Sequence, residues 1–547
     1  MEKKNMIVTA ALPYANGAIH IGHCVEYLQA DIWTRFNKMQ GHNCRYICAD
    51  DTHGTPIMVR ARTEGITPEE LIARSFKEHL ADFTDFEIEF DHYSSTNTET
   101  NRQFSEEIYQ KMVDNGHIER RNVRQSYCDH DKMFLPDRFV KGVCPKCAAK
   151  DQYGDSCDKC GATYAPIDLK DARCAVCNNP PVERDSEHYF FQLGHFTEFL
   201  KTWVRDHTQE EIANKLGEWL KEGLRDWDIS RDAPYFGFKI PGTENKYFYV
   251  WVDAPVGYIS ATKEWCERTQ SDFASYWKSG NAEIHHFIGK DIVYFHTLFW
   301  PAMLKNAGFK TPTRVHVHGF LTVDGEKMSK SKGTFISART YLNNAGATYL
   351  RYYYASKLTS TVSDLDLNLE DFVNRVNSDL IGKITNMASR GAQMLSKKID
   401  GKVGQLSPSG KAIVVQAQEI GEVIARHYQN LDYGKALVEI RNIAEIANKH
   451  FDENEPWKVI KDDVEKTREI LTVALNLFRQ MAIYLKPVLP SYVRKVETLF
   501  GEEPYDWNSA KLFFENRSIG VYEHLASRLE LKNIMQIVEQ SKTPGPV

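Results

Sequence analysis

The feature of this 547-residue sequence that most constrains its fold is an alternation of strand and helix patterns, which stops near residue 117 and resumes near residue 282. Apolar runs at 4–12, 44–50 and 88–95 are typical of strands, and helical patterns follow them. One helix begins with the capping box Thr67-Pro68-Glu69-Glu70. Strands that alternate with helices indicate a parallel, doubly wound, Rossmann-like sheet. The sequence therefore predicts an α/β domain split by an insertion, followed from about residue 370 by an α-helical domain with apolar residues at helical spacing.

Composition and charge exclude some classes of protein. The chain is 42% hydrophobic and 26% charged, which is ordinary for a globular protein. It has no apolar run of the roughly 18 residues that a membrane helix needs, and its first residues lack a signal-peptide cleavage site. The net charge of −6 gives no general attraction to nucleic acid. We expect a cytoplasmic protein that does not bind membranes.

Seven of the eleven cysteines lie between residues 128 and 177, mostly as close pairs. The pairs CPKC and CDKC supply four thiols, which are a standard tetrahedral Zn²⁺ set, so we predict a structural zinc site at Cys144, Cys147, Cys157 and Cys160. A third pair, Cys174 and Cys177, would need further ligands to complete a second metal site.

Within this segment, the only cysteine before CPKC is in YCDHD, where Cys128 is followed by His130 and Asp131. Aspartate and histidine both bind Zn²⁺. Two interpretations stay open: a mixed second site of Cys128, Asp131 (or His130), Cys174 and Cys177, or a relic without metal.

Two short motifs indicate nucleotide chemistry. His20-Ile21-Gly22-His23 follows the first strand and opens a helix, whose N-terminus favours phosphate, and Gly22 allows close approach of a ligand. Lys327-Met328-Ser329-Lys330-Ser331 lies between glycines, as a mobile loop with two cations. Alone, either motif is more often a surface feature.

Together the two motifs resemble the HIGH and KMSKS signatures of class I aminoacyl-tRNA synthetases. Further stretches resemble the methionyl-tRNA synthetase family over essentially the whole chain, namely AALPYANGAIHIGH, CADDTHGTPI, FLPDRFVKGVCPKC, WDISRDAPYFG, YVWVDAPVGY, FIGKDIVYFH and LDLNLEDF. The resemblance implies a catalytic Rossmann-like domain in two halves (1–116 and 233–323), a zinc-binding connective insertion (117–232), a KMSKS and stem-contact region (324–382) and a helical anticodon-binding domain (383–547).

The resemblance also implies the reaction, in which methionine and ATP form methionyl-adenylate and methionine then passes to the 3′-terminal adenosine of initiator and elongator tRNA(Met). Catalysis is assigned to His20, His23, Lys327 and Lys330. ATP binding is assigned to the same four residues with Gly22 and Asp291, and Mg²⁺ accompanies the ATP.

The methionine site implied by the resemblance is largely aromatic, as suits a soft thioether. Tyr258 and His296 are expected beside the sulfur, Asp51 beside the ammonium group, and Arg231 at the border of the site. The full set is Leu12, Tyr14, Asp51, Trp251, Ala254, Pro255, Tyr258, Ile292, Phe295, His296, Phe299 and Trp300. Without the resemblance, the apolar stripe at 292–299 would be interpreted as core.

For tRNA, the resemblance assigns anticodon reading to Asn386 and Arg390, four residues apart on one helix, and to Pro456 and Trp457, whose indole can stack on a base. Whether a further C-terminal tRNA-binding module belongs to the protein is not decided by the sequence. Without one, we expect a monomer.

Two alternative functions agree less well with the sequence. Another class I synthetase, for Leu, Ile, Val or Cys, is disfavoured because the insertion is largely the zinc segment. A zinc-ribbon nucleic-acid-binding protein with an inactive ATP site is disfavoured because the histidines and lysines of both motifs are intact.

Overall fold

The computed structural model describes residues 3–542 apart from 137–138, 155–156, 158, 163, 165, 279 and 329–333. The part before the insertion alternates as predicted, and the capping box forms, since the Glu70 N–H donates to Thr67 Oγ1 (3.1 Å) and the Thr67 N–H to Glu70 Oε2 (2.8 Å). Its elements are β1 (Asn5–Ala10), α1 (Ile21–Met39), β2 (Asn43–Asp50), α2 (Thr55–Glu64), α3 (Pro68–Asp85), β3 (His92–Ser95) and α4 (Glu99–Asp114).

The insertion is built on a long antiparallel ribbon, in which β4 pairs with β9 over ten residue pairs. Short strands at the far end of the ribbon surround the cysteines, and two helices cover its base. The elements are β4 (Ile118–Cys128), β5 (Met133–Phe134), β6 (Val140–Val143), β7 (Gln152–Tyr153), β8 (Lys170–Cys174), β9 (Val182–Phe191), α5 (Thr197–His207), α6 (Glu210–Glu222), β10 (Trp227–Asp228) and β11 (Ser230–Asp232).

The second half of the α/β domain adds two strands to the sheet. Its elements are β12 (Lys246–Phe248), α7 (Val250–Asp253), α8 (Val256–Thr269), α9 (Ala274–Trp277), β13 (Glu283–Gly289), a π-helical turn (Phe295–Phe299), α10 (Trp300–Ala307), β14 (Arg314–His318) and β15 (Leu321–Val323).

The central sheet is parallel throughout, with the order β14-β13-β1-β2-β3. On one side of β1 lie β2 and β3, which come before the insertion, and on the other side lie β13 and β14, which come after it. The switch point of this sheet therefore lies between β1 and β13. Ligands of open α/β sheets bind at the carboxyl ends of the strands beside such a point.

The segment 314–323 does not form one continuous strand. The structure divides it into β14, in the central sheet, and β15, in a separate small sheet. At Gly319 another chain segment passes so close that a Cβ would lie 2.4 Å from the Ser363 carbonyl oxygen, and the strand breaks there.

The remaining elements are mostly helical, as predicted. They are β16 (Glu326–Lys327), α11 (Ala338–Asn344), α12 (Ala347–Lys357), β17 (Leu365–Leu367), α13 (Leu369–Arg375), a π-helical segment (Val376–Thr385), α14 (Asn386–Lys398), α15 (Pro408–Gln429), α16 (Tyr433–Glu453), α17 (Pro456–Val459), α18 (Val464–Leu485), α19 (Pro490–Phe500) and α20 (Leu531–Lys542). None of the described helices is both long and apolar enough to cross a bilayer.

A buried arginine joins the α/β domain to the helical domain. The guanidinium of Arg351 donates to Asp31 Oδ2 (2.6 Å) on α1, to the carbonyls of Phe86 and Glu87 (both 3.1 Å), and to the Val488 carbonyl (2.6 Å) of the helical domain. Arg351 and Asp31 are both almost fully buried. A buried charge is tolerated only when it is paired and hydrogen-bonded, so this contact holds the two domains in one arrangement.

Candidate active site

A cavity of about 1030 Å³ opens at the carboxyl ends of β1 and β13, beside the switch point. The loop after β1, the residues after β2, the start of α8 and the turn after β13 form its walls. Its lining brings together most of the predicted site residues, namely Leu12, Tyr14, His20, Gly22, His23, Asp51, Arg231, Trp251, Ala254, Pro255, Tyr258, Asp291, Ile292, His296 and Lys327.

His20 and His23 form a reciprocal cap at the start of α1. The His23 N–H donates to His20 Nδ1 and the His20 N–H donates to His23 Nδ1, both at 3.2 Å, and the two rings stack with centroids 3.6 Å apart. Burial lowers the pKa of His20 from 6.5 to about 4, and burial, with the neighbouring His20, lowers the pKa of His23 well below its usual value. Both imidazoles are therefore neutral near pH 7. Because each Nδ1 accepts, each Nε2 carries the proton, so the pair presents two N–H donors next to a helix N-terminus.

The segment that follows the lysine motif forms backbone hydrogen bonds with the residues on either side of His20. The Ile21 N–H donates to the Ile336 carbonyl (3.0 Å), and the Ala338 N–H donates to the Ile19 carbonyl (2.8 Å). A Cβ on Gly22 would lie 2.8 Å from Met328 Cε and 2.9 Å from His20 Nδ1, so the glycine leaves room for both side chains. Lys327 lies in the cavity wall, whereas Lys330 lies outside the described residues. The two sequence motifs are thus adjacent in space.

The carboxylate of Asp51 is the polar group of the cavity that most needs a ligand. Its Oδ1 is buried without a hydrogen-bond partner. Burial, and then the neighbouring charge of Asp253, raise the pKa of Asp51 well above its usual value. Asp253 itself is paired, because His53 Nδ1 lies 2.6 Å from its Oδ2. Although burial lowers the pKa of His53, Asp253 raises it on balance. Asp51 can therefore pair with a cation that enters the cavity.

The apolar side of the cavity ends in a neutral hydrogen-bonded pair, Tyr258 and His296, whose Oη and Nε2 are 2.9 Å apart. His296 Nδ1 also lies 3.2 Å from the Ile292 carbonyl, and burial lowers the pKa of His296 to about 4. His296 Nδ1 donates to that carbonyl, and the Tyr258 hydroxyl donates to Nε2.

Three predicted pocket residues do not line the cavity. Phe295 stacks on Trp251 at 3.8 Å, Phe299 packs against Trp227, and Trp300 is buried with its Nε1 donating to His286 (3.1 Å). On a regular α-helix, residues 292, 295, 296 and 299 would share one face. Residues 295–299 instead form a π-helical turn. The wider turn changes the angular spacing of the side chains.

Glu26 and His318 also line the cavity, and neither was predicted from the sequence. Glu26 accepts the Ala11 N–H and lies 3.4 Å from His318 Nε2, while burial raises its pKa. The spacing of His23 and Glu26, three residues apart on α1, was a signal that could have found Glu26.

Both predicted metal clusters are assembled. The ligand atoms of Cys144, Cys147, Cys157 and Cys160 lie within 4.8 Å of one another, as do those of Cys128, Asp131, Cys174 and Cys177. Tetrahedral Zn²⁺ with Zn–S bonds of about 2.3 Å needs sulfurs roughly 3.8 Å apart, and the sulfur pairs 144/160, 147/157 and 128/177 are at 3.9, 3.5 and 3.4 Å. The donor sets therefore fit the ion.

The second cluster uses Asp131 rather than His130. Asp131 Oδ2 lies 3.3 Å from both Cys128 Sγ and Cys174 Sγ, and the Asp131 N–H donates to Cys128 Sγ (3.3 Å). The side chain of His130 is 65% exposed and outside the cluster.

The predicted anticodon residues share one surface of the helical domain. Asn386 and Arg390 are exposed on α14. The guanidinium of Arg390 lies 4.4 Å from the ring centre of Phe451 and 5.7 Å from that of Trp457. Trp457 is 39% exposed, whereas Pro456 is buried at the start of α17.

Comparisons with known proteins agree over the whole chain. Residues 6–392 match the family model "tRNA synthetases class I (M)", and residues 401–516 match "Anticodon binding domain of methionyl tRNA ligase". A methionine–tRNA ligase of Bdellovibrio bacteriovorus is 56% identical over 542 residues, which are 99% of this chain and 79% of that protein.

Solved structures of Mycobacterium tuberculosis methionyl-tRNA synthetase are similar in fold. The complex with methionyl-adenylate has a TM-score of 0.79 at 25% identity, covering 95% of this chain and 99% of that one. The apo form has a TM-score of 0.73 at 24% identity, covering 97% and 99%.

Proposed function

The chain belongs to the class I tRNA synthetases of the methionine type, the methionine–tRNA ligases, and from this we propose that the cavity beside β1 and β13 is where it activates methionine with ATP. The observation that carries the proposal is the unpartnered carboxylate oxygen of Asp51, which lines the same cavity as the neutral His20–His23 pair. One end of the cavity thus suits an ammonium group and the other suits phosphates.

The proposed chemistry needs no covalent enzyme intermediate. The methionine carboxylate attacks the α-phosphorus, the bond to the β-phosphate breaks, and pyrophosphate leaves. The Nε2–H groups of His20 and His23 donate to phosphate oxygens, and Lys327 approaches the pyrophosphate side, as we propose for Lys330 too. Groups that are positioned beforehand and aimed at the developing charge lower the barrier. A hydroxyl of the terminal adenosine of tRNA(Met) then attacks the methionyl carbonyl, and AMP leaves.

The binding of each substrate is assigned to one part of the cavity. Asp51 takes the ammonium group, and the apolar walls with Tyr258 and His296 take the thioether. Asp291 and Glu26 line the nucleotide side. Mg²⁺, which neutralises phosphate charge, is held mainly by the phosphates with one or two carboxylates, and Glu26, Asp291 and Asp364 are the carboxylates that line the cavity besides Asp51.

Amino-acid-dependent ATP–pyrophosphate exchange tests the proposal. We expect exchange with methionine. Its absence would refute methionine activation at this cavity, and exchange with leucine instead would select a different class I synthetase.

We further propose that both cysteine clusters bind structural Zn²⁺, since no coordination position is left open. Metal analysis of the purified chain is expected to give two ions, and Cys128→Ala is expected to give one, with a less stable insertion and retained methionine-dependent exchange. Cys266→Ala, a buried cysteine of α8 remote from both clusters, is the control and is expected to keep two. One ion in the unchanged chain would contradict the second site.

We propose that Asn386, Arg390 and Trp457 read the anticodon of tRNA(Met). Trp457→Ala is expected to raise KM for tRNA roughly tenfold or more, because stacking of a base on an aromatic ring is worth about 1–3 kcal/mol. Exchange without tRNA should not change. Trp219→Ala, an exposed tryptophan of α6 in the insertion, is the matched control. An unchanged KM in Trp457→Ala would remove the assignment.

A further inference from the structure

One face of α3 lies against the loop that joins β1 to the histidine motif. Ser75 and His79 are four residues apart on this helix, so their side chains share a face, and both are buried. The Ser75 hydroxyl donates to the Ala15 carbonyl (2.9 Å), and His79 Nε2 lies 2.7 Å from the Gly17 carbonyl oxygen. The loop between β1 and α1 is thus attached to α3 at two carbonyl groups.

The same loop is held on its other side by the residues after β2. The Asp51 N–H donates to the Pro13 carbonyl (2.9 Å), and the Ala15 N–H donates to the Asp51 carbonyl (2.8 Å). Tyr14, which lies between them, lines the cavity beside β1 and β13. The positions of Tyr14 and of His20, at the end of the loop, therefore depend on the attachments to β2 and to α3.

Both ring nitrogens of His79 form hydrogen bonds. Nε2 must donate, because a carbonyl oxygen only accepts. Nδ1 lies 2.8 Å from Asp50 Oδ1, which also accepts from the Tyr93 hydroxyl. Since an ionised Asp50 only accepts, Nδ1 donates as well, and the ring is an imidazolium cation. Although burial lowers the pKa of His79, the hydrogen bond to Asp50 and the charge of Asp50 raise it on balance.

The charge of His79 also acts on the histidine motif. It adds to burial and to His20 in lowering the pKa of His23. A neutral His23 is the form whose Nδ1 can accept the His20 N–H. The charge on His79 therefore favours the form of His23 that the reciprocal cap requires.

Asp82, three residues beyond His79 on α3, binds the segment that follows the lysine motif. Arg339, in the first turn of α11, donates from Nε (2.9 Å) and Nη2 (2.6 Å) to Asp82 Oδ1 and from Nη1 to Asp85 Oδ2 (2.7 Å). The residues just before Arg339 form the backbone hydrogen bonds to either side of His20. The same helix thus supports both chain segments that flank His20.

We propose that His79 is a positioning residue for methionine activation, and that it fixes the loop before His20 where Tyr14 and His20 can meet the substrates. This rests on the proposed function, because the groups that it positions belong to the adenylate-forming site. The side chain of His79 is fully buried and does not line the cavity, so it acts through the loop. A displacement of about 1 Å in groups aimed at a transition state can cost roughly 100-fold in rate.

Two substitutions separate the two hydrogen bonds of His79. The amide of asparagine can replace Nδ1 and keep the contact with Asp50, whereas the amide of glutamine can replace Nε2 and keep the contact with Gly17. We expect His79→Asn to lower kcat for methionyl-adenylate formation roughly 100-fold, with KM for methionine and for ATP nearly unchanged. We expect His79→Gln to keep kcat within about tenfold of that of the unchanged chain.

Stability should follow the opposite order. His79→Gln is expected to be the less stable variant, because it leaves Asp50 buried without its cation and without a hydrogen bond from residue 79. Single-turnover adenylate formation and thermal unfolding of the full chain measure both quantities. If His79 only stabilised the fold, His79→Gln would be as slow as His79→Asn or slower, or neither rate would change. Each of these results would overturn the proposal.

His285→Asn is the matched control. His285 on β13 is also a buried histidine beside a carboxylate, with Nε2 3.2 Å from Glu283 Oε2, and it does not line the cavity. This variant should lose stability without a change in kcat. A fall in kcat as large as that of His79→Asn would show that the loss of any buried histidine slows the reaction, and it would overturn the proposal.

Ser75→Ala decides if either variant of His79 does not fold, because it removes only the hydrogen bond to the Ala15 carbonyl. A fall in kcat of roughly fivefold with unchanged KM would support the proposal, and an unchanged kcat would overturn it. Absence of methionine-dependent exchange in the unchanged chain would refute the proposed function instead, so the two failures are distinguishable.

Discussion

His20→Asn is expected to lower kcat for methionyl-adenylate formation roughly 100- to 1,000-fold, the usual cost of removing one donor aimed at developing charge. It should leave the free energy of unfolding nearly unchanged. The reason is that the two nitrogens of His20 have separate tasks: Nδ1 caps α1 by accepting the His23 N–H, and Nε2 is the nitrogen left to donate to a ligand in the cavity that His20 lines. Asparagine is a favourable N-cap residue and reproduces the first task without the second.

His20→Gln is the matched control, because its side-chain amide can reach the position of Nε2. We expect it to recover part of the rate and to lose some helix capping. Stopped-flow or single-turnover measurement of adenylate formation, with thermal unfolding of each variant, checks both expectations. A fall in stability as large as the fall in rate for His20→Asn would contradict a phosphate-binding role. Because His20 has a pKa of about 4, its donor should also persist without change between pH 6 and pH 8.

Asp51→Asn is expected to raise KM for methionine roughly 100-fold, since truncating one partner of a buried charge pair costs about 3 kcal/mol. KM for ATP should change little. The analogue 4-(methylthio)butanoate keeps the thioether and the carboxylate but lacks the ammonium group. It should bind equally to the unchanged chain and to Asp51→Asn. If the variant loses affinity for both compounds alike, Asp51 supports the shape of the pocket rather than the ammonium group.

The same residue implies a pH dependence with a definite sign. Burial and Asp253 raise the pKa of Asp51, so the carboxyl group takes up a proton at a higher pH than an exposed aspartate does. Only the ionised form pairs with an ammonium group, and KM for methionine should therefore rise as the pH falls towards that pKa. Asp51→Asn should remove this dependence. The other titratable groups around it are Asp50, Asp253, His53, Tyr14, Tyr235, Tyr249 and Tyr258.

The sequence allowed the parallel sheet, the split by the insertion and the helical domain to be predicted, because these depend on local periodicity. It also placed the histidine motif between the first strand and the start of a helix. It could not show that residues 336–338 pair with residues 19–21, since that contact joins segments more than 300 residues apart. The His53–Asp253 pair, 200 residues apart, was hidden for the same reason.

Structural details that depend on tertiary contacts could not be predicted from sequence periodicity either. The break between β14 and β15 at Gly319 depends on the passage of Ser363 beside it. The π-helical turn at Phe295–Phe299 follows from packing against Trp227 and Trp251, which no helical pattern encodes. Only the folded tip of the ribbon shows that Asp131, and not His130, belongs to the second cluster.

Arg351 gives the molecule a thermodynamic property that neither domain has alone. Its guanidinium is satisfied by acceptors from both sides of the domain boundary. Nearby, the indole of Trp33 on α1 donates to the Gln429 carbonyl on α15 (3.3 Å). Separating the domains would leave a buried cation without some of its acceptors and would expose the far end of the helix that begins at the histidine pair. We therefore expect the α/β domain and the helical domain to unfold as one cooperative unit, and a fragment that ends before the helical domain to lose its active site.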